Sequence, residues 1–405
     1  MIKPFEARGF HARIGPVPFL GLATLSQTGM SFVQQGIVIM GVYFAVQYRL
    51  TLAQMGLVTT ALSLGIMTSM VMMGAIADRA GPRRLLFVGT GAMTASVLAM
   101  LLASRFDVLL VVLYVLGAML AIVPAAGTKA VFTAFRDRPR GMVMGIRQTG
   151  VPIGALLAAA LLPRLTANIG LRHVFWLFAL ELFVVGWLFS RVIPAGASQS
   201  QGARVRLQRA VLGGIWRPAL VAILMVSGQY LLLGFSLTDL QRIHHVGLAS
   251  AGLVLAASQL GGGVSRVLTG VISDRLGGHR PPVLAGCALI AALMAWIVAL
   301  LPRHVPLLIL GAIWFVFGMG AVGWNALTMT WAGESVPPAQ SGFAMSSVGT
   351  AAFMGSAIFP PLFGAFVDAT HHFNWGWGLL GVILVAAGFL SWKFGRAAPK
   401  DVAPI

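Results

Sequence analysis

Apolar residues in this chain come in long unbroken runs, separated by short turns that hold nearly all the charge. A hydrocarbon layer about 30 Å thick needs about 20 helical residues to cross it. On that measure the runs separate into twelve spans, near 14–44, 53–77, 85–104, 108–133, 141–163, 172–193, 216–240, 249–273, 281–301, 306–332, 341–366 and 374–395. No alternation of period two marks a strand, so the pattern predicts an all-α polytopic membrane protein.

Between spans 2 and 3 stands a short charged turn, Gly74-Ala-Ile-Ala-Asp78-Arg79-Ala-Gly81-Pro82-Arg83-Arg84. About 200 residues later, between spans 8 and 9, it recurs as Gly270-Val-Ile-Ser-Asp274-Arg275-Leu-Gly277-Gly278-His279-Arg280. The glycine at its start lets two helices approach closely. The Asp closes a helix, where the dipole disfavours a negative charge, so it needs a positive partner such as another helix's N-terminus. The arginines hold the loop at the anionic inner leaflet. At these residues the sequence resembles the major facilitator superfamily of secondary transporters, whose signature G-x-x-x-D-R-x-G-x-R-R lies between helices 2 and 3. The second copy departs from it at Gly278-His279. The resemblance implies two pseudo-symmetric six-helix bundles that rock around a central site. Helices 1, 4, 7 and 10 would line the cavity, and Gly74, Asp78, Arg79, Gly81, Arg83, Arg84, Gly270, Asp274 and Arg275 would control the conformational change.

A second repeat is independent of that turn. Gly117, Gly141, Met144, Thr149 and Gly154 meet Gly318, Gly342, Met345, Thr350 and Gly355 at an offset of 201. A polar Gly/Ser/Gln stretch followed by Arg204, Arg206 and Arg209 divides the two halves. We therefore expect an N-terminal bundle over 1–193, a cytoplasmic linker over 194–216 and a C-terminal bundle over 217–405.

Composition agrees: 58% of residues are hydrophobic and only 9% charged, too few charges for a soluble domain. The net charge of +18 would suggest nucleic acid in a soluble protein. Its placement argues against that. Counting from a cytoplasmic N-terminus, 19 Lys and Arg fall on the inner side and 6 on the outer side. This positive-inside bias puts both termini in the cytoplasm of a bacterial inner membrane. The first apolar run is expected to stay as span 1 rather than act as a cleaved leader. Cys287 is the only cysteine, which excludes an internal disulfide and a Cys-based metal site. No cofactor is expected, and a monomer among membrane lipids suffices.

Five charges lie inside the spans: Lys129, Arg147, Glu181, Asp239 and Arg266. Each costs roughly 2.5–3.5 kcal/mol if central, so each needs a partner or a watery cavity. Arg266 leads, in Gly261-Gly-Gly-Val-Ser-Arg266, because three glycines leave space beside a guanidinium that matches a carboxylate. At an effective dielectric near 20 such a contact is worth about 4 kcal/mol before desolvation. The alternative is an arginine that snorkels or braces the Asp274 loop. Arg147 is a second anion contact, an inner-gate residue or another snorkelling side chain; Lys129 reads as snorkelling. Glu181 is either a protonated structural group or a proton relay. Asp239, beside Arg242, His244 and His245, is either a solvated cluster or a proton-sensing outer gate. Gln34, Tyr230, Gln259 and Asn325 are further pocket candidates, the amides serving either substrate or helix–helix hydrogen bonds.

Arg-x3-Gly-x3-Asp in span 8 resembles the monocarboxylate and oxalate branch of the superfamily, which implies that Arg266 binds a substrate carboxylate. Proton-coupled members of that branch carry an Asp where this chain has Gly262, and oxalate carriers use a lysine in helix 11, which is uncharged here. The expected function is import of a small organic anion with protons. A drug/proton exporter is the first alternative, although the exporters' helix 4 arginine is Leu113 here. A nitrate, nitrite or cyanate carrier is the second. A receptor of this kind would need a large soluble domain. A membrane enzyme would need a phosphate loop, metal cluster or catalytic triad, none of which is visible.

Overall fold

A computed structural model describes residues 14–135, 140–194, 209–337 and 340–396. The basic segment 1–13, Arg136 and Arg138, and the linker residues 195–208 with Arg204 and Arg206 lie outside the described residues, as does Lys400. Eleven helices are long and apolar enough to cross a membrane, and a bent pair supplies a twelfth. They are α1 (Pro16–Ile39 continued by Gly41–Tyr48), α2 (Leu52–Ala80), α3 (Pro82–Leu102), α4 (Phe106–Ala134), α5 (Val143–Ile169) and α6 (Leu171–Val192). The second half holds α7 (Gly213–Arg242), α8 (Leu248–Arg275), α9 (Arg280–Leu300), α10 (Leu307–Glu334), α11 (Ser341–Thr370) and α12 (Phe373–Arg396). Among the described residues there is no strand.

Several helices outrun the apolar spans. Asp78 and Arg79 lie on the last turn of α2, and Asp274 and Arg275 on that of α8. What reads as a loop in the sequence is, in the first copy, the single residue Gly81. Its φ of 82° is open to glycine, and Pro82 starts the next helix at once.

Glycines set the internal symmetry. A methyl on Gly65 or Gly117 would overlap the backbone of the partner helix in the α2–α4 crossing. Gly261 and Gly318 do the same between α8 and α10. The first positions of these pairs are 196 apart and the second 201 apart, the spacings of Asp78 to Asp274 and of Gly117 to Gly318. Small residues let backbones touch where lipid supplies no hydrophobic drive.

Among the described residues four helices are interrupted, α5 at Thr149 and three others with clearer causes or contacts. α1 bends by 45° at Met40, and Tyr43 on the far piece donates to Pro163 O at 2.7 Å. α4 breaks at Ala121, four residues after Gly117, and α10 at Val322, four after Gly318. In α4 the cause is Pro124, which cannot donate to Leu120 O. In α10 the run Gly318-Met-Gly320-Ala-Val-Gly323 lacks the side-chain packing to hold a straight helix.

We call the end bearing Asp78 and Asp274 the motif end and its opposite the far end. At the far end the halves meet backbone to backbone. Gly56 of α2 lies under Pro360 and Pro361 of α11, Gly364 covers Leu52 and Ala53, and Gly252 of α8 rests on Ala159 and Pro163 of α5. Thr60 Oγ1 donates to Ala357 O at 2.6 Å, and Ser356 Oγ to Ser63 Oγ at 2.9 Å. Asp368 completes the seam, accepting from Leu52 N at 3.1 Å and Ala53 N at 2.9 Å. Thr51 and Gln54 form a capping box on the same turn, so all first-turn N–H groups of α2 are satisfied, two of them by the other half. Toward the motif end the packing loosens: Gly74, Gly145, Gly270 and Gly342 face open space.

Candidate functional site

The two intramembrane arginines look alike in sequence but have opposite surroundings. Arg147 is 1% exposed. Its Nη2 donates to Val123 O at 3.1 Å and its Nη1 to Thr128 Oγ1 at 3.3 Å, while the guanidinium lies flat on Gly127. Val123 belongs to the α4 break, where Pro124 disturbs the backbone ladder. Arg147 thus braces a helix discontinuity and presents no free face to a solute. A substrate contact requires accessibility that this side chain does not have.

Arg266 performs half of that task at the equivalent break. Its Nε donates to Val322 O, the terminal residue of the first α10 segment, at 3.4 Å. The side chain is only partly buried, and no carboxylate pairs with it among the described residues. Among the described residues no hydrogen bond or ion pair holds its two Nη groups. Asn325 starts the second α10 segment three residues after Val322 and is also partly exposed. Gln259 lies seven residues before Arg266, on the same helical face. It is buried, with Nε2 on Ser258 Oγ at 3.1 Å and Oε1 unpartnered. Trp324 sits in the break with its indole N–H unpartnered. A buried polar atom without a partner carries a desolvation cost of about 1–3 kcal/mol, and two such atoms, Gln259 Oε1 and Trp324 Nε1, belong to the same two helices that Arg266 joins.

Gln34 and Tyr230 are brought together across the halves: Gln34 Nε2 of α1 donates to Tyr230 Oη of α7 at 3.2 Å. Both are buried, as are Gln27 and Gln35, whose Oε1 atoms lack partners. The α1 amides thus divide between a helix–helix bond and unfilled acceptors.

The remaining charges lie apart from this centre. Glu181 of α6 has its carboxyl laid on Gly29 of α1, where a methyl would collide with it, and its Oε2 is unpartnered. Asp239 is not a solvated group. It is 2% exposed, with His244 Nε2 3.9 Å from its Oδ2 and Trp377 beside the carboxyl. Neither Oδ2 nor the Trp377 N–H closes a hydrogen bond of ordinary geometry.

At the motif end two expectations need correction. Lys129 does not snorkel: its Nζ bonds Asp78 Oδ1 at 2.8 Å and Ala77 O at 2.9 Å. The partner of Asp78 is thus a lysine from α4, which also caps the end of α2. In the second copy Arg280, the first residue of α9, holds Asp274 and reaches Glu334 of α10 at 3.1 Å. Arg280 occupies the position of Arg84 in the first copy, while His279 stands where the first copy has Arg83. Gly74 and Gly270 line open space, while Arg83, Arg84 and Arg275 occupy helix ends as basic flanks.

The sequence reading passed over Asp368, because the apolar run ends at 366. It stands on the last turn of a helix, and the dipole argument applied to Asp78 would have flagged it. The Lys129–Asp78 pair had no local signal, being separated by 51 residues.

The family model of the Major Facilitator Superfamily matches residues 23–360 and again 220–404. An uncharacterized MFS-type transporter of Mycobacterium tuberculosis (strain H37Rv) is 28% identical over 342 residues, 83% of this chain and 76% of the relative. Among solved structures, a bacterial homolog of the human lysosomal transporter Spinster, inward-facing and unoccupied, superposes with a TM-score of 0.79 at 18% identity, covering 94% of this chain and 97% of that one. The nucleoside transporter NupG gives 0.75 at 14% identity, with 94% and 99% covered. A peptide transporter, POT, gives 0.77 at 12%, with 93% and 94% covered. At these identities the structures speak for the fold alone.

Proposed function

This chain belongs to the Major Facilitator Superfamily and is a multi-pass membrane transporter rather than an enzyme; from that premise we propose that its substrate is a small organic anion of the monocarboxylate type, carried with protons. The observation that supports this is Arg266: a cation between membrane helices, fixed through Nε and unpaired through both Nη groups. A carboxylate presents two oxygens to that fork and removes the uncompensated charge. Asn325 and the unpartnered Gln259 and Trp324 offer neutral polar groups around it. Gln34 and Tyr230 tie α1 to α7 above the site, and substrate can compete for that bond.

The positive-inside bias supports a motif end and termini on the cytoplasmic side of a bacterial inner membrane. The sealed far end then faces outward, and the conformation is closed to the outside. The seam along α2–α11 and α5–α8 would open as the site turns outward, in the manner of alternating access. Asp78–Lys129 and Arg280–Asp274–Glu334 each join helices of one half, so they stiffen each half as a body that can rock. The chain acts as a monomer in this scheme. Its proton is carried by a membrane carboxyl, for which Asp239 and Glu181 are the candidates.

Thermal stabilisation of the purified protein tests the reading. A ligand at 100 times its dissociation constant adds about 2.7 kcal/mol to the folded state. Small monocarboxylates should raise the unfolding temperature of wild type and leave Arg266→Gln unmoved. The panel includes nitrate, which the same cation would hold, and cationic drugs. If only cationic drugs stabilise the protein, equally in both forms, the anion assignment fails and an exporter takes its place.

A further inference from the structure

We propose that Asp239 and His244 together bind one proton at the far end of α7, and that this is the proton whose binding is coupled to transport. The inference rests on the proton-coupled reading above and says where that proton is held.

The geometry starts with the imidazole. His244 Nδ1 lies 3.2 Å from Arg303 O. A carbonyl oxygen only accepts, so Nδ1 carries the hydrogen, and Nε2 of the neutral ring is left as an acceptor. That Nε2 faces Asp239 Oδ2 at 3.9 Å, with the two side chains 2% and 3% exposed. An ionised Asp239 beside a neutral His244 would set two lone pairs against each other in a site shut off from water. One proton resolves this, either as a carboxylic acid facing Nε2 or as an imidazolium facing the carboxylate. A second proton would leave two donors facing each other. The pair titrates as a unit and holds one proton.

No other ionisable group neutralises the carboxyl. From α7 and the loop after it come His244, with the exposed Arg242 and His245 beyond. From the α9–α10 connection come Arg303, which contributes its carbonyl and whose side chain is exposed, and His304, whose ring is 6.3 Å from that of His245. From α12 only the Trp377 indole lies beside it. On α11 the acid of this level, Asp368, is committed to the N-terminus of α2. Among the described residues His244 is the only basic group within ion-pair range of Asp239. Burial pushes the His244 pKa below its ordinary 6.5, against the backbone acceptors at Arg303 and Pro302, so the ring alone is a poor proton store near neutrality. The exposed His245 and His304 form an aqueous rim through which a proton reaches the pair.

The position explains how one proton acts on the gate. Asp239 belongs to the last turn of α7, and its neighbour Thr238 donates to Met55 Sδ of α2 at 3.8 Å. One turn earlier Gly234 packs on Val38 of α1, and Phe235 meets Phe363 of α11 at a tilt, with ring centroids 4.7 Å apart. This turn is therefore part of the seam between the halves. Losing the proton leaves a buried carboxylate without a partner. That state is relieved when the turn moves toward water, and the movement pulls on α2 and α11.

Infrared difference spectra of the full chain in lipid nanodiscs, stepped in pH without substrate, test the site directly. Wild type should show, on acidification, one protonation band from the pair, of a carboxylic acid if the proton rests on Asp239 or of an imidazolium if it rests on His244. Asp239→Asn should abolish it, His244→Gln should move its midpoint by about one pH unit or more, a tenfold change in proton affinity, and Glu181→Gln should leave it intact. In liposomes with lactate as the probe, Asp239→Asn should lose accumulation driven by a pH gradient and retain lactate exchange at equal pH. A purely structural role would depress both. If Asp239→Asn does not fold, the His244→Gln shift decides the matter. A band that survives Asp239→Asn, is unmoved by His244→Gln, or vanishes in Glu181→Gln overturns the proposal. A band that behaves as expected while no monocarboxylate stabilises the protein supports the proton site and removes the anion assignment instead.

Discussion

Replacing Asp368 by alanine should tilt the protein toward the state open at its far end. The carboxylate accepts from two N–H groups at the start of α2, at 3.1 and 2.9 Å, and those groups belong to the other half of the molecule. It acts as an N-cap supplied from outside the helix. Removing an ordinary N-cap costs about 0.5–2 kcal/mol, and a negative charge at a helix start contributes about 0.3–1 kcal/mol. Asp368 is partly exposed, so water replaces some of what is lost. A net loss of about 1.4 kcal/mol is a fair central figure, and it is a factor of ten. Because the bond exists only when the halves meet at this end, the loss falls on the closed state alone. A far-end-open minority of about 1% would rise to about 10%. Spin labels at Asn168→Cys and Ala249→Cys, exposed residues at the far ends of α5 and α8, read the separation of the halves once Cys287→Ser has removed the native thiol. Asp368→Ala should enlarge the long-distance population about tenfold, with Asp368→Asn in between because one acceptor remains. A folded Asp368→Ala protein with the wild-type distance distribution would refute the reasoning and reduce the contact to an incidental one.

Two further outcomes can be checked by thermal unfolding in detergent. Lys129→Met should destabilise by about 1 kcal/mol, and adding Asp78→Asn should recover part of it, since the pair shares one interaction; additive losses would mean the two side chains act separately. Gly29→Ala drives a methyl into the Glu181 carboxyl and should cost about 1–3 kcal/mol as an overpacking change. Glu181→Ala should suppress that cost, and a Gly29→Ala protein as stable as wild type would show that the carboxyl moves freely.

The number and length of the helices were readable because lipid imposes one requirement on every span, a sufficient apolar length. The repeated Asp78 and Asp274 turns and the Gly117 and Gly318 pair exposed the internal duplication for a similar reason. Close helix crossings tolerate only glycine at the contact, so the constraint is written in single residues. Partnerships were less legible. Nothing near Lys129 announces Asp78, because the pairing depends on how α2 and α4 are rotated against each other. Arg266 stands ahead of Arg147 in the sequence for its three glycines, yet Gly261 and Gly262 leave no space there because they pack directly on α10. What separates them is the neighbour each meets: a pocket of carbonyl, hydroxyl and glycine for Arg147, and a single carbonyl on Nε for Arg266. Asp239 stood between a solvated cluster and a proton-sensing gate because His244, His245 and Arg242 follow it closely; the structure buries the acid at 2% exposure beside His244.

The far-end seam also decides where the membrane voltage acts. Under the proposed orientation, with the motif end toward the cytoplasm, the electric field would fall mainly across the layer closed by Gly56, Pro360, Pro361 and Gly364. Moving a unit charge across the full potential is worth about 2.3 kcal/mol per 100 mV. A proton that crosses half of that layer to reach Asp239 therefore has its occupancy changed about sevenfold by 100 mV. In the proposed cycle, a packing seam made of glycines and prolines would thereby become an electrical element.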